Sequence, residues 1–210
     1  MASTLKIGIT GGIGVGKSTI CLIFKQLGIP IYDADTRAKW LIGHHPTLIS
    51  EIKAHFGEEA YLNGELNRRY LAEKVFIDKD NIQKMNSLVH PKVGEDAKQW
   101  FNEQEGKYPY IIKEAALLYE SGSYKALDKV IVVTAPLDLR IARIQARDPQ
   151  RSKEEILGII SKQMPEEEKV KKANFVIYND EKQMLIPQVL TVHQALMNLS
   201  KSNHVPIFRS

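Results

Sequence analysis

Gly11-Gly12-Ile13-Gly14-Val15-Gly16-Lys17-Ser18-Thr19 is the stretch whose reading decides the fold of this chain. It fits G-x-x-x-x-G-K-[ST], with Gly11, Gly16, Lys17 and Ser18 at the fixed positions. Upstream, Leu5-Lys6-Ile7-Gly8-Ile9-Thr10 is short, apolar and β-branched, as a buried strand is. Downstream, Ser18 to Leu27 sets Ile20, Ile23, Phe24 and Leu27 at helical spacing, and Gly28 supplies a stop. Between strand and helix, glycines without Cβ let successive N–H groups point inward as an anion nest, completed by the positive end of the helix. The loop is therefore expected to bind a nucleoside triphosphate through Gly12, Gly14, Val15, Gly16, Lys17, Ser18 and Thr19. Lys17 is placed to reach the β- and γ-phosphates, and the Ser18 hydroxyl to ligate Mg²⁺.

A chain of 210 residues is one compact domain with room for inserted subdomains. Its 43% apolar and 26% charged fractions place it among soluble globular proteins rather than disordered or membrane chains. The net charge of +4 suits a polyanionic small molecule as well as nucleic acid, and no block of like charges forms a nucleic-acid arm. Cys21, the single cysteine, excludes an internal disulfide and cannot make a zinc site by itself. No signal-peptide apolar region and no run of about 18 apolar residues is present, so a cytoplasmic location is expected, with no membrane partner.

Pro30-Ile31-Tyr32 reads as a second strand ending at Asp33-Ala34-Asp35. Carboxylates at the carboxyl end of a strand in an open α/β sheet sit where ligands gather. We read Asp33 as catalytic and Asp35 as a cap for the helix starting near Thr36, or a secondary ligand. From Thr36 to about Gln104 the pattern is helical, apart from a loop over Gly57 to Gly64, and Pro91 is expected to interrupt or kink a long helix. Tyr110-Ile111-Ile112-Lys113 and Lys129-Val130-Ile131-Val132-Val133-Thr134 are further strands, the first followed by Glu114. Arg140, Arg143 and Arg147 follow at i, i+3 and i+7 on one helix face. A solvated face is the common alternative, but no carboxylate partners them before Asp148, and arginine suits bidentate phosphate contacts. Ser152-Lys153-Glu154-Glu155 is a capping box for another helix, to about Gln163, so the excursion has the place of a mobile lid. Phe175-Val176-Ile177-Tyr178 is the last strand, then an amphipathic helix and a polar tail from Lys201.

Neither D-x-x-G nor N-K-x-D occurs, which removes the GTPase switches, and no strand ends in Asp-Glu as in motor ATPases. What remains is a small kinase. With Asp33-Ala34-Asp35, Gly64-Glu65-Leu66-Asn67-Arg68, His90-Pro91, Leu117-Leu118-Tyr119-Glu120, Arg143, Arg147-Asp148, Gln163 and Ala173-Asn174-Phe175-Val176-Ile177 with Asn179, the chain resembles the dephospho-coenzyme A kinase family nearly end to end. The resemblance implies transfer of the ATP γ-phosphoryl group to the ribose 3′-hydroxyl of dephospho-coenzyme A, the last step to coenzyme A. It implies Asp33 as the base, Lys17 and the loop amides on the phosphates, and Mg²⁺ on Ser18. Arg143 and Arg147 would close over the triphosphate, Asn179 would lie by the adenine, and Arg68, His90 and Glu120 would belong to the acceptor site, with Lys39 available beside them. Lys39, Ala116, Ile159 and Asn174 depart from the family pattern, which has Arg, Pro, Arg and Asp there.

The expected fold is α/β, a P-loop NTPase with a five-stranded, mainly parallel sheet flanked by helices, as in nucleoside monophosphate kinases. Residues 1–35, 106–136 and 164–210 are assigned to the nucleotide-binding core, 36–105 to a helical acceptor subdomain and 137–163 to the lid. ATP, Mg²⁺ and dephospho-coenzyme A are the expected small molecules, and a monomer or weak homo-oligomer the expected state. A kinase with another acceptor is one alternative. A nucleotide-binding regulator or weak RNA binder is another, to which the scattered Trp40, Tyr61, Trp100 and Tyr124 lend little, so no nucleic-acid partner is expected.

Overall fold

The computed structural model describes residues 4–202. In chain order the elements are β1 (Leu5–Thr10), α1 (Lys17–Gln26), β2 (Ile31–Asp33), α2 (Ala34–His44), α3 (Pro46–Phe56), β3 (Tyr61–Leu62), β4 (Glu65–Leu66), α4 (Arg68–Val75) and α5 (Lys79–Gln104). After these come β5 (Tyr110–Glu114), β6 (Lys129–Thr134), α6 (Leu137–Arg147), α7 (Lys153–Ser161), α8 (Glu166–Lys172), β7 (Phe175–Tyr178) and α9 (Leu185–Ser202). The helix α9 runs two residues into the expected loose tail, whose remainder, 203–210, lies outside the described residues. The chain divides into two units, 33–100 and the described residues on either side of it.

The flanking unit is built on the expected five-stranded sheet, in the order β2-β5-β1-β6-β7. β1 pairs in parallel with β5 and β6, and β6 with β7. Register follows from alternation, because every second side chain falls on one face. Ile7 lies opposite Ile112, and Ile9 opposite Ile131. These pack with Val133 and Ile177 against Ile20 and Phe24 of α1 and Val189, Val192 and Leu196 of α9. On the other face Gly8 leaves room for Leu118 and Leu127, whose methyl carbons would stand 2.6 and 2.8 Å from an added Cβ. Lys113, opposite Gly8, is buried, and burial lowers its pKa. The central strand β1 has neighbours reached by opposite crossovers, so the crevice at its carboxyl end is where such sheets bind ligands.

The second unit, 33–100, is mostly helical, with Leu41, Leu48, Ile52, Phe56, Leu71 and Val75 buried. Two phenols fasten its turns: Tyr61 Oη donates to the Ile42 carbonyl at 2.5 Å and Tyr70 Oη to that of Phe56 at 2.9 Å. The loop expected from Gly57 to Gly64 is instead a 3₁₀ turn, Glu58–Ala60, followed by the hairpin β3–β4. Asn63 and Gly64 both have positive φ, 52° and 82°, the two-residue turn that matches strand twist. The interruption expected at Pro91 does not occur: α5 is one helix through it. Val89, Val93 and Ala97 are buried at helical spacing on both sides of the proline, so packing outweighs the missing donor.

Candidate active site

The helix α1 begins without a side-chain cap, behind Gly16 at φ 86°, and has no acidic residue in its first turn. Its positive end is thus left for an anion to satisfy. Lys17 Nζ lies over the loop, 3.0 Å from the Gly11 carbonyl oxygen and 3.4 Å from that of Gly12. Ser18 and Thr19 are exposed, whereas Val15 turns its side chain into the core. The Val15 carbonyl accepts from Asn179 Nδ2 at 2.9 Å. Asn179 presses so closely that a Cβ on Gly16 would meet its Nδ2 at 2.4 Å, which fixes glycine there as firmly as the dihedral does. Asn179 thus braces the loop.

Glu114 ends β5 in the same unit. It faces Cys21 of α1, whose thiol is pushed up in pKa by burial first and then by the charge of Glu114 and a hydrogen bond to it. Cys21 is buried, so packing is its role, as its place in α1 suggested.

The three arginines of α6 separate. Arg140 is buried, donates through Nε to the Ile13 carbonyl at 2.9 Å and pairs through Nη1 with Glu166 at 2.7 Å. Burial raises the pKa of Glu166 despite that cation and the Ala135 N–H. Arg143 donates to the Asn179 carbonyl at 3.1 Å, to Asn179 Oδ1 at 3.3 Å and to Glu181 at 2.9 Å. Arg147 is exposed. The carboxylates that partner this face come after Asp148, where no helical pattern looks for them: Glu166 for Arg140 and Glu181 for Arg143, 26 and 38 residues further on.

Asp33 is the residue that caps α2, correcting the assignment of the cap to Asp35. Its Oδ1 accepts from the Thr36 N–H at 2.9 Å and its Oδ2 from Thr36 Oγ1 at 2.7 Å. Asp35 lies in the first turn, where its charge favours the helix. In the same unit Lys39, Arg68 and His90 are exposed. Beside Lys39, Arg37 pairs with Asp96 through Nε at 2.9 Å and lies 4.5 Å from the Trp40 ring, so the fixed guanidinium of α2 is not at position 39.

Glu120, assigned to the acceptor, lies in the other unit, with Lys169 Nζ and the Met164 N–H each 2.8 Å from its Oε1. Burial works to raise its pKa, but the Lys169 and Met164 contacts hold it below the usual carboxylate range. Asn174 keeps an oxygen acceptor for the Val130 N–H at 2.9 Å, which a carboxylate would supply equally. Nothing in the structure explains Ala116 or Ile159. A groove of about 730 Å³ opens between α6, α8 and the ends of β6 and β7, lined by Pro136, Arg140, Glu166, Val170, Tyr178 and Asp180 among others. Neither Lys17 nor Ser18 lines it. Among the described residues no group of three or more His, Cys, Asp or Glu side chains could hold a metal ion.

This sheet order, with a phosphate loop after the central strand and an arginine helix laid against that loop, defines a P-loop phosphotransferase. Residues 5–184 match the dephospho-CoA kinase family, and the chain belongs to it. It is 39% identical to a dephospho-CoA kinase of Bacteroides fragilis over 186 residues, 89% of this chain and 90% of that protein. A Thermus thermophilus protein of known crystal structure superposes with a TM-score of 0.79 at 34% identity, over 91% of this chain and 97% of that one. The dephospho-CoA kinase of Campylobacter jejuni does so at 0.66 and 29% identity, over 94% and 98%.

Proposed function

We propose that this chain uses ATP to phosphorylate the ribose 3′-hydroxyl of dephospho-CoA, giving CoA and ADP. The observation that carries the reading is the uncapped start of α1 beneath a glycine loop, with Lys17 lying over it, in a chain that matches this family from residue 5 to 184. In the reaction the 3′-oxygen bonds to the γ-phosphorus, and the bond from that phosphorus to the β,γ-bridging oxygen breaks. Lys17 and the amides from Gly12 to Thr19 bind and orient the phosphates, and Arg143 and Arg147 meet charge spread over the transferring group. Asp33 takes the hydroxyl proton; its two bonds to Thr36 fix the carboxylate for that task.

Ser18 suits Mg²⁺, which keeps several waters and needs only one or two protein oxygens beside substrate phosphates. Bound there through Oγ, the ion would neutralise charge on the β- and γ-oxygens. Lys39, Arg68, His90 and Glu120 are assigned to the acceptor, residues 36–105 to its subdomain, and residues 137–163 to a lid that keeps water from the γ-phosphate. No helix among the described residues is long and apolar enough to cross a membrane. A cytoplasmic monomer or weak homo-oligomer completes the reading.

An ADP-release assay with Mg·ATP tests it. Turnover is expected with dephospho-CoA, and none above background hydrolysis with AMP, CMP, shikimate or gluconate. Mass spectrometry should find one added phosphoryl group on the adenosine ribose. Turnover with a nucleoside monophosphate alone would overturn the acceptor.

A further inference from the structure

Ile13, at the apex of the phosphate loop, is gripped through both of its backbone polar groups. Its N–H donates to Gln163 Oε1 at 3.0 Å, and its carbonyl accepts from Arg140 Nε at 2.9 Å. The first bond holds the Gly12–Ile13 peptide and the second the Ile13–Gly14 peptide, so residues 150 and 127 positions away close on two successive peptide units.

Each grip is held in turn. Arg140 is 5% exposed, and its Nη1 is tied to Glu166. Gln163 is followed by Met164, whose N–H is fixed on Glu120, and Glu120 pairs with Lys169, 1% exposed. Glu166 and Lys169 stand one turn apart on α8. One turn of that helix therefore anchors both arms, and the arms wall a cavity of about 40 Å³ together with Gly12. The loop has no slack against them. A Cβ at Gly12 would lie 2.3 Å from Arg140 Nη2, and one at Gly14 would lie 2.7 Å from the Arg140 carbonyl oxygen.

An anion nest works only while its N–H groups converge, and rotating one peptide at the apex turns its neighbours out of line. We infer that Arg140 and Gln163 are positioning residues that set the two peptides flanking Ile13 so the phosphate loop is preformed for the triphosphate, and that α8 ties this setting to the 137–163 excursion. The inference rests on the nucleotide-binding reading above. Neither side chain has to touch the nucleotide; each acts through the loop. Because the two ends of the excursion hold successive peptides joined at Ile13, a shift of α7 is passed directly to the nest.

Gln163→Leu is the decisive variant, since Gln163 lies outside the helices and its loss does not threaten the fold. Three readouts are needed: ADP affinity by calorimetry, KM for each substrate, and hydrogen exchange of the Ile13 amide by NMR. Losing one neutral hydrogen bond predicts about fivefold weaker ADP and a matching rise in KM for ATP, with KM for dephospho-CoA unchanged. Ile13 should exchange faster. Arg140→Met combined with Glu166→Gln, which leaves no lone buried carboxylate, should weaken ADP by about 10-fold or more, a charged donor being lost. All three changes together should weaken ADP by less than the product of the separate effects, because the arms act on adjacent peptides that share Ile13. Unchanged ADP affinity in Gln163→Leu, an equal rise in both KM values, or multiplying effects would overturn the inference. Calorimetry needs no acceptor, so a wild-type protein that binds ADP but ignores dephospho-CoA would count against the kinase reading alone.

Discussion

Asp33 spends both carboxylate oxygens on Thr36, and this sets how its variants behave. Asparagine caps a helix as well as aspartate does but cannot take a proton. Asp33→Asn is therefore expected to lower kcat by about 10²- to 10⁴-fold while leaving the urea midpoint in place. Asp33→Ala should lose the same activity and about 1 kcal/mol of stability besides. Steady-state kinetics and urea unfolding of the two variants check this; an Asn variant that keeps its rate would remove Asp33 from the chemistry. At this scale the sequence identifies the important side chains better than it identifies their partners. The loop residues and Asp33 announce themselves by local spacing. Spacing alone sets the cap two residues late, because a cap is counted from a helix start that spacing leaves uncertain. Glu166, Glu181 and Gln163 reach α6 and the loop only through the fold, so no local pattern points to them.

Among the elements, α5 is the one whose sequence argues against its structure. Pro91 is exposed inside a 26-residue helix, where it lacks a donor and crowds the carbonyl one turn back. Restoring that donor at an exposed site leaves no cavity, so Pro91→Ala is expected to raise stability by about 1 to 3 kcal/mol. The urea midpoint should rise with the slope unchanged; a midpoint that stays or falls would mean that the ring itself packs usefully. Strands were legible almost to the residue in β1 and β6, because short apolar runs there end abruptly at glycine or proline. The hairpin β3–β4 is hidden in the sequence although Asn63-Gly64 is a strong turn signal. Its strands are two residues each, too short for alternation to show.

At the scale of the molecule, the sequence-remote parts of the nucleotide unit are held by one strand. β1 touches β5 and β6 along its length and delivers the loop at its end, so chain segments on both sides of 33–100 must assemble before the loop is shaped. This much was legible, since each strand stops at residues with polar chemistry: Thr10, Asp33, Glu114, Thr134 and Asn179. The bracing of the loop by α6 and α8 was not, for it depends on packing between helices whose order in space the sequence does not state.

Cys21 gives that assembly a clock. It is the chain's single thiol, 3% exposed, and burial and Glu114 keep it from forming the reactive thiolate. An alkylating reagent must wait for α1 to lift from the sheet, so the labelling rate counts openings of the nucleotide unit. A ligand that binds only the closed form lengthens the wait by the factor 1 + [L]/Kd, so ADP at 100 times its Kd should slow labelling about 100-fold. A rate indifferent to ADP would mean that the thiol is reached without opening. Otherwise one sulfur atom, buried a turn behind the phosphate loop, keeps a running record of how tightly the nucleotide holds the molecule shut.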